Sequence, residues 1–199
     1  MRATRNVLWR TRLFSTTRST NHSSRPVPSL ESPPLKVTSY PYDLFVHPPL
    51  SGSKGSALSF VKQPSACRGL PELAKIGWIL DENYQALSPD NVHVNPLFEA
   101  LLHDVLRESI HTSTQVIYAA ATQREGFLNI NDARTFVPYG RVAEAEDILG
   151  FVRLDTGTIV PDTYERCPTH RIVSTHGLFQ LSEEMHGKLL QRLSRVGLS

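Results

Sequence analysis

Two groups of residues in this 199-residue chain have types and spacings suited to chemistry. The first is Ser51-Gly52-Ser53-Lys54-Gly55-Ser56, where small residues let backbone amides approach a phosphate and Lys54 adds charge. It lacks the GxxxxGK(S/T) spacing of a phosphate loop and leads into an expected strand, so a flexible entry loop explains it too. The second is the pair of histidines in Pro168-Thr169-His170-Arg171 and Thr175-His176-Gly177, with Arg134 and Arg141 in a preceding polar loop. Imidazoles titrate near neutral pH and serve as acid, base or ligand. The simpler reading is a surface histidine, His170, and a turn residue, His176. Taken together, Ser53, Lys54, Arg134, Arg141, His170 and Arg171 form a candidate pocket for an anionic ligand.

Other ionisable residues read as ordinary. His103 is expected on the exposed side of a helix as a solvated partner of Glu99, and His186 as a half-buried imidazole on an apolar arc. Asp43, Asp132, Asp147 and Asp155 fall in loops and turns, with nothing in the sequence to pair them. The chain contains no HExxH, GxSxG or GxGxxG, so zinc-protease, hydrolase and dinucleotide readings have no motif, and no cofactor is expected. Cys67 and Cys167 lie outside any CxxC or Cys/His metal spacing, so no metal is expected either; a bridge between them stays open.

Positioning these residues falls to one domain. With 40% apolar and 20% charged residues, the chain suffices for a single globular unit plus tails. No run approaches the roughly 18–20 apolar residues that cross a bilayer. The formal charge of +2 hides an asymmetry: residues 1–25 hold six arginines and no acid. Without them 15 basic residues face 19 acidic ones, a net charge of −4, which weighs against a nucleic-acid partner.

That acid-free segment, rich in Arg, Ser and Thr, has the composition of a mitochondrial transit peptide. Ala3, Val7 and Phe14 fall on one side of a helix and Arg5 and Arg12 opposite, while Arg10 intrudes on the apolar side. Arg12-Leu13-Phe14-Ser15 resembles a matrix processing site cut after Phe14; a two-step site would start the mature chain near His22.

Residues 26–50, rich in Pro and Ser, read as an extended arm or linker, with Tyr40, Tyr42, Leu44 and Phe45 offering apolar surface to dock. The domain is expected over 51–197. Strands are expected at 57–62, 76–80, 116–121, 127–131, 148–154 and 158–160, with a hairpin turning at His176-Gly177. Asn95 and Pro96 open a helix over 96–110 whose apolar face is Leu97, Phe98, Leu101, Leu102, Val105 and Leu106. Ser182 caps a last helix with Met185, Leu189, Leu193 and Val196 as its stripe and Gly197 as its stop. The sum is an α+β fold: a mostly antiparallel sheet built from hairpins, packed against two amphipathic helices.

The stretches 51–60, 140–150 and 168–177, the last continuing to Leu181, together resemble a family of small, uncharacterised fungal mitochondrial proteins. The resemblance implies a compartment and a domain extent, and carries no activity or site residue. The first functional expectation is therefore a non-catalytic protein of the mitochondrial matrix that binds or helps assemble a larger complex. The alternatives are a small enzyme or binder of a phosphorylated metabolite using the candidate pocket, and an organellar RNA-associated protein.

Overall fold

The expected capping of the central helix is realised in full. Asn95 accepts the amide of Leu97 at 3.0 Å, and its own amide group donates to the carbonyls of Glu72 and Lys75 at 2.7 and 2.8 Å. One side chain thus starts the helix and fixes the 3₁₀ turn Glu72–Ala74 beside it. The structure, a computed structural model, describes residues 33–49, 55–62, 69–81, 84–138 and 141–198.

The fold is α+β with antiparallel sheets. The first sheet takes β1 (Leu35–Lys36), β2 (Phe45–His47), β3 (Ser56–Ser59), β4 (Gly77–Ile79) and β5 (Val92–Val94) in sequence order. Helices α1 (Pro96–Ser109) and α2 (Thr114–Gln123) follow, then β6 (Gly126–Asn131), β7 (Ile148–Asp155), β8 (Thr158–Ile159) and β9 (Glu165–Arg166). In this second sheet β7 is central, pairing with β6, β8 and β9. The hairpin β10 (Val173–Ser174) and β11 (Gly177–Leu178) leads to α3 (Glu183–Leu198). No helix among the described residues is long and apolar enough to cross a membrane.

One core serves both sheets. Phe98, Leu102 and Leu106 of α1 and Leu189 and Leu193 of α3 are buried with Leu58 and Ile79 of the first sheet and Leu149, Val152 and Leu154 of the second. Phe60, Phe98 and Phe179 meet at ring distances of 6.1 to 6.3 Å and tie the first sheet, α1 and the segment after β11 together.

The structure differs from the sequence reading in four places. Part of the expected arm belongs to the fold: Val37 and Leu44 are fully buried and β1 and β2 are sheet strands. Its aromatic anchors are used internally, Tyr40 donating to Phe179 O at 2.7 Å and Tyr42 to Leu181 O at 3.0 Å. Residues 116–121, expected as a strand, lie within α2; the run Ala119-Ala120-Ala121 favours helix more than Val116 and Ile117 favour strand, and Ala120 is buried. Leu97 is half exposed rather than part of the α1 core face. The last helix runs through Gly197 to Leu198.

Candidate functional site

The connection between β6 and β7, residues 132–147, ends in the 3₁₀ turn Ala145–Asp147, and its ends are held together by the Asp132 amide donating to Asp147 O at 2.8 Å. A loop of this length inside a small domain is commonly a functional one. Its base is organised by Arg134, whose side chain is completely buried. The guanidinium Nε lies 2.7 Å from Asp147 Oδ1 and 3.2 Å from Asp132 Oδ2. Its terminal nitrogens donate to three carbonyls, Gly177 O at 3.0 Å, Glu146 O at 2.9 Å and Arg171 O at 2.7 Å. One side chain thereby joins the loop to the β10–β11 hairpin and to the segment before it. Guanidinium is suited to this because its planar fork meets several acceptors at once.

The two carboxylates are committed to different degrees. Asp132 Oδ1 accepts the amides of Arg134 and Gln180 at 2.9 and 2.8 Å, and its Oδ2 lies 3.3 Å from His170 Nε2. Asp147 Oδ2 accepts from the Thr135 hydroxyl. His170 is buried, and its Nδ1 has no hydrogen-bond partner among the described residues. A histidine oriented by an aspartate is half of a catalytic arrangement, but among the described residues no hydroxyl or thiol stands within hydrogen-bond reach of the second nitrogen.

At the surface the same cluster is acidic. His176 Nδ1 lies 3.7 Å from Asp147 Oδ2 and 4.0 Å from Glu146 Oε1. Arg171 Nε approaches Glu146 Oε2 only to 3.8 Å, with its side chain 63% exposed. Glu144, His176 and Asp147 bring one ligand atom each within 4.8 Å of one another.

Of the residues expected to form an anion pocket, Arg134, His170 and Arg171 come together in this cluster. Arg134 stands there as an internal counter-ion, with its charge directed at two aspartates. Arg141 is exposed, with its amide donating to Pro138 O at 3.0 Å, and no side-chain contact joins it to the other three. Ser53 and Lys54 lie outside the described residues. Sequence reasoning missed both partners: Asp147 reaches Arg134 only through the closure of the loop, whereas Asp132 lies two residues away and accepts the Arg134 amide in a local turn that the Asp-x-Arg spacing could have signalled.

A second buried polar site was misplaced outright. His103 is 3% exposed rather than solvated, since Tyr164 covers that side of α1 and Glu99 pairs instead with Arg166 at 2.5 Å. Its Nδ1 meets the Tyr164 hydroxyl at 2.9 Å, and burial, with lesser repulsion from Arg166, pushes its pKa down to about 3. Burial likewise raises the Tyr164 phenol. His186 stacks on Tyr42 at 4.1 Å and meets Phe60 edge-on at 4.8 Å, and burial lowers its pKa.

Compared with known proteins, the chain matches no family model, no curated protein and no solved structure.

Proposed function

We propose that the chain is a non-catalytic mitochondrial matrix protein that holds a protein partner through the 132–147 loop. The observation that carries this reading is the contrast between the loop's base and its outer part. Phe136 is 90% exposed and Val142 76% exposed, on a loop whose foot is fixed by a buried arginine. A large apolar side chain held out by a rigid support is the kind of anchor that supplies much of the affinity of a protein interface. The compartment is supported by the arginine-rich, acid-free first 25 residues and by the family resemblance. The metabolite reading gains less, because the guanidinium nearest the loop base already faces two carboxylates. Binding to RNA is disfavoured by the net charge of −4 beyond the leader.

The test is affinity purification from intact mitochondria of the unaltered chain beside a Phe136→Ser/Val142→Ser variant, with intact-mass measurement of the mature form. The expected result is a partner recovered with the unaltered chain and depleted at least tenfold with the variant, on a mature chain beginning at Ser15 or near His22. A protein recovered alone, or equally with both chains, would refute the partner; Met1 retained inside the organelle would refute the leader.

A further inference from the structure

We infer that Glu144, Asp147 and His176 form a divalent-metal site, of the zinc class, that clips the 132–147 loop to the β10–β11 turn. The inference is independent of the partner reading and runs against the absence of a metal expected from sequence, which considered cysteine spacings and local motifs. The three ligands are one imidazole nitrogen and two carboxylate oxygens, drawn from two segments of chain that no local motif would join. Nitrogen and oxygen donors in that mixture suit borderline ions such as Zn²⁺, while hard Ca²⁺ prefers an all-oxygen set.

The geometry is close to what such an ion needs. With metal–ligand bonds of about 2.0–2.2 Å, tetrahedral ligands stand about 3.4 Å apart. His176 Nδ1 and Asp147 Oδ2 are already 3.7 Å apart. The remaining closure falls to Glu144, an exposed side chain with no hydrogen bond or ion pair among the described residues, so rotation of its carboxylate breaks nothing. Three protein ligands leave one position for water.

Asp147 is prepared as a ligand in the way metal-binding carboxylates are. It is 99% buried, so it is not a casual surface acid. Its Oδ1 rests on Arg134 at 2.7 Å, and its Oδ2, the oxygen nearest His176, accepts from Thr135 and keeps a lone pair for a cation, so both oxygens are held in place. Arg134 does not repel the cation unopposed, because Asp132 shares its charge. Across the cluster, Asp132, Glu144, Glu146 and Asp147 stand against Arg134 and Arg171, a surplus of two negative charges that matches a divalent cation.

The experiment uses the full chain and Zn²⁺ in competition with a chromophoric chelator. One Zn²⁺ per chain is expected, with affinity falling at least tenfold in both His176→Ala and Glu144→Gln and unchanged in the control His93→Ala, an exposed histidine on β5. Unchanged affinity in His176→Ala would overturn the assignment, as would failure of the unaltered chain to bind. A second measurement needs no variant: substoichiometric Mn²⁺ should broaden the His176 imidazole resonances before those of His93 and His111. Equal broadening of all three would overturn it as well.

Discussion

Two buried polar regions in this fold solve the same problem in opposite ways. Around Arg134 the charges stay: two aspartates compensate one guanidinium, and three carbonyls accept from its terminal nitrogens. Around His103 and His186 charge is suppressed instead, because burial among Tyr164, Tyr42 and Phe60 keeps both imidazoles neutral. The first arrangement fails when its guanidinium is removed, since two uncompensated buried carboxylates remain. The second fails only when the solvent supplies enough protons. Neighbouring segments of one small domain therefore have different vulnerabilities, the loop base to mutation and the helix faces to acid.

The largest effect is expected from Arg134→Met, which keeps the apolar stem and deletes the charge. Two buried carboxylates lose their counter-ion and three carbonyls lose a donor, a cost of about 3–5 kcal/mol in unfolding free energy by urea titration. Arg134→Lys should recover only part of it, because an ammonium cannot reproduce the fork. If Arg134→Met costs less than about 1 kcal/mol, the network is not what holds the loop, and the contrast with the neutral histidines disappears.

Next comes Gly150→Ala, on the neutral side. The added methyl would press on the Glu165 carbonyl across the β7–β9 pair and lie 2.8 Å from the Tyr164 ring. Backbone cannot yield as a flexible side chain can, so a loss of about 2–3 kcal/mol is expected in the same titration. Displacement of Tyr164 should also appear as a shift of the His103 imidazole resonances; an unmoved His103 would show that the ring is positioned by something other than this close approach.

The pH dependence separates the regions without a large structural change. Above the unfolded histidine pKa, near 6.5, both folded and unfolded His103 are neutral and the group contributes no pH dependence. Between that value and about 3 the unfolded chain takes up a proton that the folded chain refuses, so stability falls as pH falls. The slope contributed by this one group is at most about 1.4 kcal/mol per pH unit, and His186 adds in the same direction. His103→Gln should flatten the profile between pH 6 and 4, about the window opened by its lowered pKa, by up to one proton. An unchanged slope would mean that His103 is protonated in the folded protein.

How far these regions could be read from sequence follows the range of the interactions that make them. The α1 start was legible because Asn95 and Pro96 act on amides one or two residues away. The β7–β8 turn was legible too: Asp155-Thr156-Gly157 carries positive φ at Thr156 and Gly157, 49° and 84°, a local demand that glycine meets cheaply. The helix α2 was misread because its short β-branched run mimics a strand; the alanine run beside it favours helix, and packing of Ala120 against the rest of the fold, which is not local, adds to that preference. His103 was misread for a similar reason: the helical period correctly put it near Glu99, but Tyr164, 61 residues away, decides which side of α1 is covered. Arg134 was recognised as chemically significant and given the wrong task, since only closure of the loop brings Asp132 and Asp147 to the same guanidinium.

The smallest expected effect sharpens the comparison most, because it uses the same residue type. Arg171 and Arg134 both belonged to the expected anion pocket, and both now border Glu146. The Arg171 side chain is 63% exposed and stands 3.8 Å from its carboxylate, a pair that water and salt screen. What Arg171 gives the network is its backbone carbonyl, which accepts from Arg134 at 2.7 Å and survives any substitution. Arg171→Ala should therefore change unfolding free energy by no more than about 0.5 kcal/mol, against the several expected at Arg134. A loss comparable to that of Arg134→Met would show that positive charge anywhere near the loop base holds it in place; a negligible loss, with Arg134→Met severe, isolates desolvation and directed hydrogen bonds as the cause.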